Sequence, residues 1–149
     1  MYYLMKNKLP ESAYYGVAQG TRSLVRTWIL GEKYQLPEFQ DLVMLELLEH
    51  LDCWEYSMAV VREAFEGTPV GSPLRKLMAE EAVEMVRWGL VDKEELDVCD
   101  GVVGFTRAFA EAYEAYMDNG DVVFRYLKYH KWHELMVAGG PEKHWVFDR

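Results

Sequence analysis

Long apolar runs are missing from this chain: nowhere in its 149 residues does one approach the eighteen or so positions that a membrane-spanning helix needs. No membrane partner is expected. Cysteine is scarce as well. Cys53 and Cys99 are the only two, far apart in apolar or acidic surroundings, with neither the close pairing of a zinc knuckle nor a redox CxxC. Buried thiols in a reducing compartment, cytoplasmic or nuclear, are expected. The opening MYYLMKNKLP has no continuous hydrophobic stretch and no small-residue cleavage site, so a secretion signal is not expected. Basic charge is in deficit: 16 Lys and Arg face 25 Asp and Glu, for a formal charge of −9, and no local basic patch offsets it. A phosphate backbone would be repelled, and no nucleic-acid partner is expected. Internal repeats and low-complexity tracts are also absent.

What the chain does have is apolar mass. Half of the residues are hydrophobic and 14% are aromatic, too many for a disordered chain. At 17.4 kDa it can bury about two-thirds of its extended surface, which suffices for one core without a disulfide or metal staple.

The spacing of the apolar residues predicts helices throughout. Leu24, Val25, Trp28 and Ile29 recur three and four apart between about Gly20 and Tyr34. A break is expected at Gln35-Leu36-Pro37, because proline suits a first helical position and disfavours helical geometry in the residue before it. From Pro37 to Leu51 the row Phe39, Val43, Leu47, Leu51 is widened by Leu42, Leu45 and Leu48, the pattern of a helix buried on most sides. Asp52 is expected to cap a third helix, Cys53 to Phe65, stopped by Gly67-Thr68-Pro69 and Gly71. Ser72-Pro73 opens a fourth, to about Trp88, with Leu74, Leu77, Met78, Met85 and Trp88 inward and Arg75, Lys76, Glu80, Glu84 and Arg87 toward water. Asp92 and Glu95 have capping-box spacing for a short turn. A long helix from about Val102 to Met117 should carry Phe105, Phe109, Tyr113 and Tyr116 on one face, with Arg107, Glu111, Glu114 and Asp118 on the other. Asn119-Gly120 ends it. The segment from Val122 to Tyr129 suits a strand or a helix equally, and residues 137–149 read as a mobile tail. The expected fold is all-α, a single helical domain of six to eight helices with at most a marginal sheet.

No constellation for catalysis stands out, and an enzyme is not expected. The acidic run from Asp92 to Asp100 reads as a solvated helix start, because acid–base work needs an apolar pocket that separates carboxylate pKa values. Gly101-Val102-Val103-Gly104 lacks the third glycine and the preceding strand of a phosphate loop, and reads instead as a loop with close helix packing. The best metal candidates are His130 and His133, three apart in Tyr129-His130-Lys131-Trp132-His133-Glu134, with His144 further on. They lack the spacing of a known zinc module, so neither cofactor nor metal is expected. A small metal- or ligand-binding helical protein remains the alternative.

Three stretches are familiar. YLMKNKLPES followed by LVRTWILGEKYQLPEFQDLVMLELL is similar to the end of a BTB/POZ domain in filamentous fungal proteins. FEGTPVGSPLRKLM resembles the segment after that domain, where a threonine-proline, a glycine-serine-proline and a leucine-arginine recur at this spacing. KYHKWHE resembles a tyrosine-histidine segment near the end of the same proteins, although Leu127 and Trp132 stand where that group often shows Cys and His. The resemblance covers about Met1 to His133. It implies truncated BTB C-terminal helices over 1–51, a post-BTB helical extension over 52–136 packed with them as one unit, and the tail over 137–149. It also implies that the sheet and two earlier helices of a full BTB domain are missing, through excision or natural shortening.

BTB proteins of this kind are adaptors, and some carry substrates to cullin-type ubiquitin ligases. The resemblance therefore implies a non-catalytic protein–protein interaction module, with a cullin-type scaffold among its expected partners through the helix from Pro37 to Leu51. Loss of the sheet would uncover Leu24, Trp28, Leu42 and Leu45. Such a face is expected to be hidden by a homodimer or a helical partner, or by Tyr2, Tyr3 and the segment from Trp132 folding back over it.

Overall fold

In the computed structural model the described residues are 17–53, 57–118 and 132–139. They hold six α-helices and no strand: α1 (Val17–Lys33), α2 (Pro37–Cys53), α3 (Met58–Glu66), α4 (Pro73–Arg87), α5 (Lys93–Leu96) and α6 (Phe105–Asp118). Two 3₁₀ turns, Asp97–Cys99 and Trp132–Leu135, complete them. The expected all-α class is observed, and no helix among the described residues is long and apolar enough to cross a membrane. The segment 119–131, which includes the strand-or-helix stretch, lies outside the described residues.

The chain divides into two compact units, residues 1–56 with 133–149, and residues 57–132. Asp52, expected as a cap, lies inside α2, which runs on to Cys53.

In the first unit α1 and α2 pack along each other. Proline at the first position of α2 fixes its start. The turn before it closes α1 with Leu36 N–H donating to the Gly31 carbonyl at 2.8 Å and Gln35 N–H to that of Glu32 at 3.2 Å. This pattern calls for a left-handed residue, and Gln35 takes it at φ 55° without being glycine. Gly31 lets the helices approach: a Cβ there would stand 2.7 Å from Gln40 Cγ. Gln40 is itself buried, and its Nε2 reaches the Trp28 carbonyl at 3.5 Å.

The second unit is built around α4, which packs on α3 and on α6. Ser72 caps α4 by accepting a hydrogen bond from Leu74 N–H at 3.3 Å, and Pro73 follows at the first position. Gly67 closes α3, its N–H donating to the Glu63 carbonyl. Asp92 accepts from Glu95 N–H at 2.8 Å, starting the short α5 as its spacing predicts.

Three expectations about helix faces need correction. Arg75 and Glu84 are buried rather than in water, because α4 is enclosed on most of its circumference. Trp88, expected inward, is the C-cap residue and is 62% exposed. On α6 the buried residues are Phe105, Ala112 and Tyr116, while Tyr113 is 45% exposed. The aromatic row is nevertheless continuous: Phe65 meets Phe105 edge-on at 5.3 Å, Phe105 meets Phe109 at 5.8 Å, and Phe109 stacks on Tyr113 at 6.4 Å.

Candidate functional site

Arg75 organises the second unit from within. Only 8% exposed, it sits in the first turn of α4 and spends four of its five N–H groups on the protein. Nε donates to Thr68 Oγ1 at 3.2 Å, Nη1 to the Val103 carbonyl at 3.0 Å, and Nη2 to the carbonyls of Phe65 and Thr68, both at 2.7 Å. The guanidinium also lies over the Phe65 ring at 5.1 Å. Thr68 Oγ1 in turn donates to the Ala64 carbonyl at 2.7 Å. The cation therefore faces the negative end of α3, where unpaired carbonyls attract positive charge. Through Val103 it also ties down the loop that leads into α6. Gly104 makes this approach feasible, since at φ 86° a Cβ would stand 2.6 Å from Arg75 Nη1.

This junction brings the first turns of α4 and α6 together at one end of a groove of about 530 Å³. Its walls present Ala79 from α4 and Ala108, Ala112 and Ala115 from α6. Along the rim stand Lys76 and Glu80 on one side and Arg107 and Glu111 on the other. Arg107 pairs with Glu111 at 3.2 Å, and both are so exposed that the pair contributes little stability. With Arg75 below them, Lys76 and Arg107 make the end near Gly71 and Gly104 basic. Glu80 and Glu111, four residues on and about 6 Å further along each helix, make the middle acidic.

The first unit carries a different polar arrangement. Asp41 on α2 is 2% exposed, and its carboxylate accepts the backbone N–H of Val137 at 2.6 Å and of Ala138 at 2.8 Å. The expected tail thus begins inside a clasp, while residues 140–149 lie outside the described residues. The four expected interaction residues do not form an open face. Leu24, Trp28 and Leu45 are 0%, 1% and 8% exposed, and Leu42 is half-buried. In the described part of the C-terminal segment, Leu135 is buried and the two residues after Met136 are held by Asp41, while Tyr2 and Tyr3 lie outside the described residues.

His130 and His144 and the side chain of His133 lie outside the described residues. Among the described residues, no three His, Cys, Asp or Glu side chains gather closely enough to hold a metal ion. Cys99 is buried, with its Sγ 3.7 Å from the Met58 carbonyl. Burial, more than the nearby Arg62 and Glu66 charges, pushes its thiol up to about 11.

Apolar periodicity by itself does not distinguish Arg75, Asp41 or the alanine walls. A helical wheel carries a signal for the first. At 100° per residue, Lys76, Glu80, Glu84 and Arg87 share one arc, and Arg75 lies about 135° from its centre, on the apolar side. Compared with family models, with curated proteins and with solved structures, the chain finds no match in any of the three.

Proposed function

We propose that the chain is a non-catalytic protein-interaction module of adaptor type that seats a segment of a partner protein in the groove between α4 and α6. The observation that carries this reading is the groove itself: walls of alanine that let another backbone come close, between rims of alternating charge. Val70, Lys76, Arg107, Glu111 and Ala115 are exposed along it, so it is open to a continuous segment, whereas small-ligand sites enclose most of their ligand. The resemblance to fungal BTB proteins supports the adaptor role and extends the proposal to assemblies on cullin-type scaffolds in the cytoplasm or nucleus. On α2, the half-buried line Phe39, Leu42, Glu46 and Glu49 is what such a scaffold would meet.

The test places a photo-reactive side chain at Ala115 in the full chain and irradiates it in a lysate of the source cells. A cross-linked protein that disappears when Ala108→Trp fills the groove is the expected result. Cross-links indifferent to Ala108→Trp would remove the groove from the argument. Elemental analysis of the purified chain addresses the alternative: a stoichiometric metal lost on replacing His130 and His133 together would favour the metal-binding reading.

A further inference from the structure

The charges around the groove follow an order, and an order selects a partner. At one end two helices begin side by side, α4 at Pro73 and α6 at Phe105, and helix starts carry partial positive charge. Arg75, Lys76 and Arg107 add full positive charge at the same end, and one Nη1 N–H of Arg75 is not spent on the protein. Glu80 and Glu111 follow one turn on, along both rims. The chain as a whole carries −9, so a basic end is a local exception to its surroundings.

Resting on the proposed docking role, we infer that the groove selects an amphipathic helix laid with its C-terminal end at the Arg75 end, with Asp or Glu in its last turn and Lys or Arg one to two turns earlier. Three physical reasons agree. A helix C-terminus carries partial negative charge, which the two helix starts and three cations attract; the opposite direction would bring three positive ends together. Acidic residues in the last turn meet Lys76 and Arg107, and basic residues before them meet Glu80 and Glu111, so both rims are matched in one register. The alanines at 108, 112 and 115 recur at helical spacing on one face of α6, which lets a second helix lie close when its own inward residues are apolar. The occupant is thus a helical peptide of dipolar charge order, bound with a salt-sensitive component.

The experiment displays a library of helical peptides of about four turns, random at the rim-facing positions, selects on the full chain, and counter-selects on Ala115→Trp. Because Ala115 is exposed, that variant blocks the groove from its surface. The expected consensus has acidic residues in the last turn and basic residues before them. A peptide with that order should bind roughly tenfold more tightly than its charge-reversed counterpart. The double variant Arg107→Glu with Glu111→Lys keeps an ion pair on α6 but turns that rim around, and it should abolish or invert the preference. Binders that Ala115→Trp blocks but that show no charge order would overturn this inference and leave the docking role standing. No binder sensitive to Ala115→Trp would overturn both.

Discussion

Replacing Arg75 with methionine keeps the apolar stem of the side chain and deletes the guanidinium, so it isolates what the hub of the second unit contributes. Four hydrogen bonds are lost, at 2.7, 2.7, 3.0 and 3.2 Å. Their gross strengths do not simply add, because burying the cation cost desolvation in the first place. What remains behind decides the magnitude. Val103 is exposed, so its carbonyl can turn to water, but Phe65 and Thr68 are buried and their carbonyls lose their partner. Each buried carbonyl left unpaired costs about 1–3 kcal/mol, and two of them give a central expectation of about 4 kcal/mol. In urea, with a slope near ~2 kcal/mol/M, the unfolding midpoint should fall by about 2 M without a change of slope. The melting temperature should drop by roughly 10 °C. Arg75→Lys should recover part of the loss, since an ammonium can reach one or two of the acceptors but cannot span three. Lys76→Met, one residue on and exposed, should stay within about 0.5 kcal/mol of the parent. The assay is urea denaturation followed by far-ultraviolet circular dichroism. An Arg75→Met midpoint within 0.5 M of the parent, expressed by m of about 2 kcal/mol/M as under 1 kcal/mol, would refute the hub as a source of stability.

Three further outcomes are expected. Gln35→Gly relieves a left-handed residue at the end of α1 and should stabilise the chain by about 0.5–1 kcal/mol, read as a higher denaturation midpoint; a loss of stability would mean that the Gln35 side chain matters more than its backbone. Asp41→Ala should speed hydrogen exchange at the Val137 and Ala138 amides and cost about 2 kcal/mol, and unchanged exchange there would show that the clasp does not hold the C-terminal segment. In a Cys53→Ser background, Cys99 at pH 8 should react with a disulfide reagent roughly a hundredfold more slowly than an open thiol, since a thiol pushed up from 9.0 to about 11 holds that much less thiolate at this pH. Its titration at about 11 instead of near 9 means that the folded chain keeps the proton longer than the unfolded chain. The resulting stability is complete below pH 9 and is lost as pH rises from 9 to 11. Prompt modification in the folded state, or stability flat across that window, would contradict the burial.

How far the chain can be read from its residues depends on the distance over which each bond is made. Helix boundaries set by near neighbours were legible: Pro37 at the start of α2, Ser72-Pro73 at the start of α4, Gly67 after α3, and the Asp92–Glu95 turn. Each of these rests on a fixed φ, a missing N–H or a hydrogen bond closed within four residues, so local sequence determines it. The all-α class followed from the apolar spacing for the same reason. Asp52 shows the limit of local rules, since a residue with a good capping side chain lies within a helix whose apolar row carries it onward.

Which polar residue goes inside was decided only in three dimensions. Arg75 is buried because the end of α3 and the loop before α6 offer it carbonyls that lie up to 28 residues away in sequence. Trp88 is exposed because α4 ends at Arg87 and leaves it at the cap. Asp41 finds its partners 96 and 97 residues downstream, a separation that no periodicity spans. The groove was silent for a related reason: alanine at 79, 108, 112 and 115 leaves no mark in a pattern of large apolar residues, and becomes a concave surface only when α4 and α6 are set side by side.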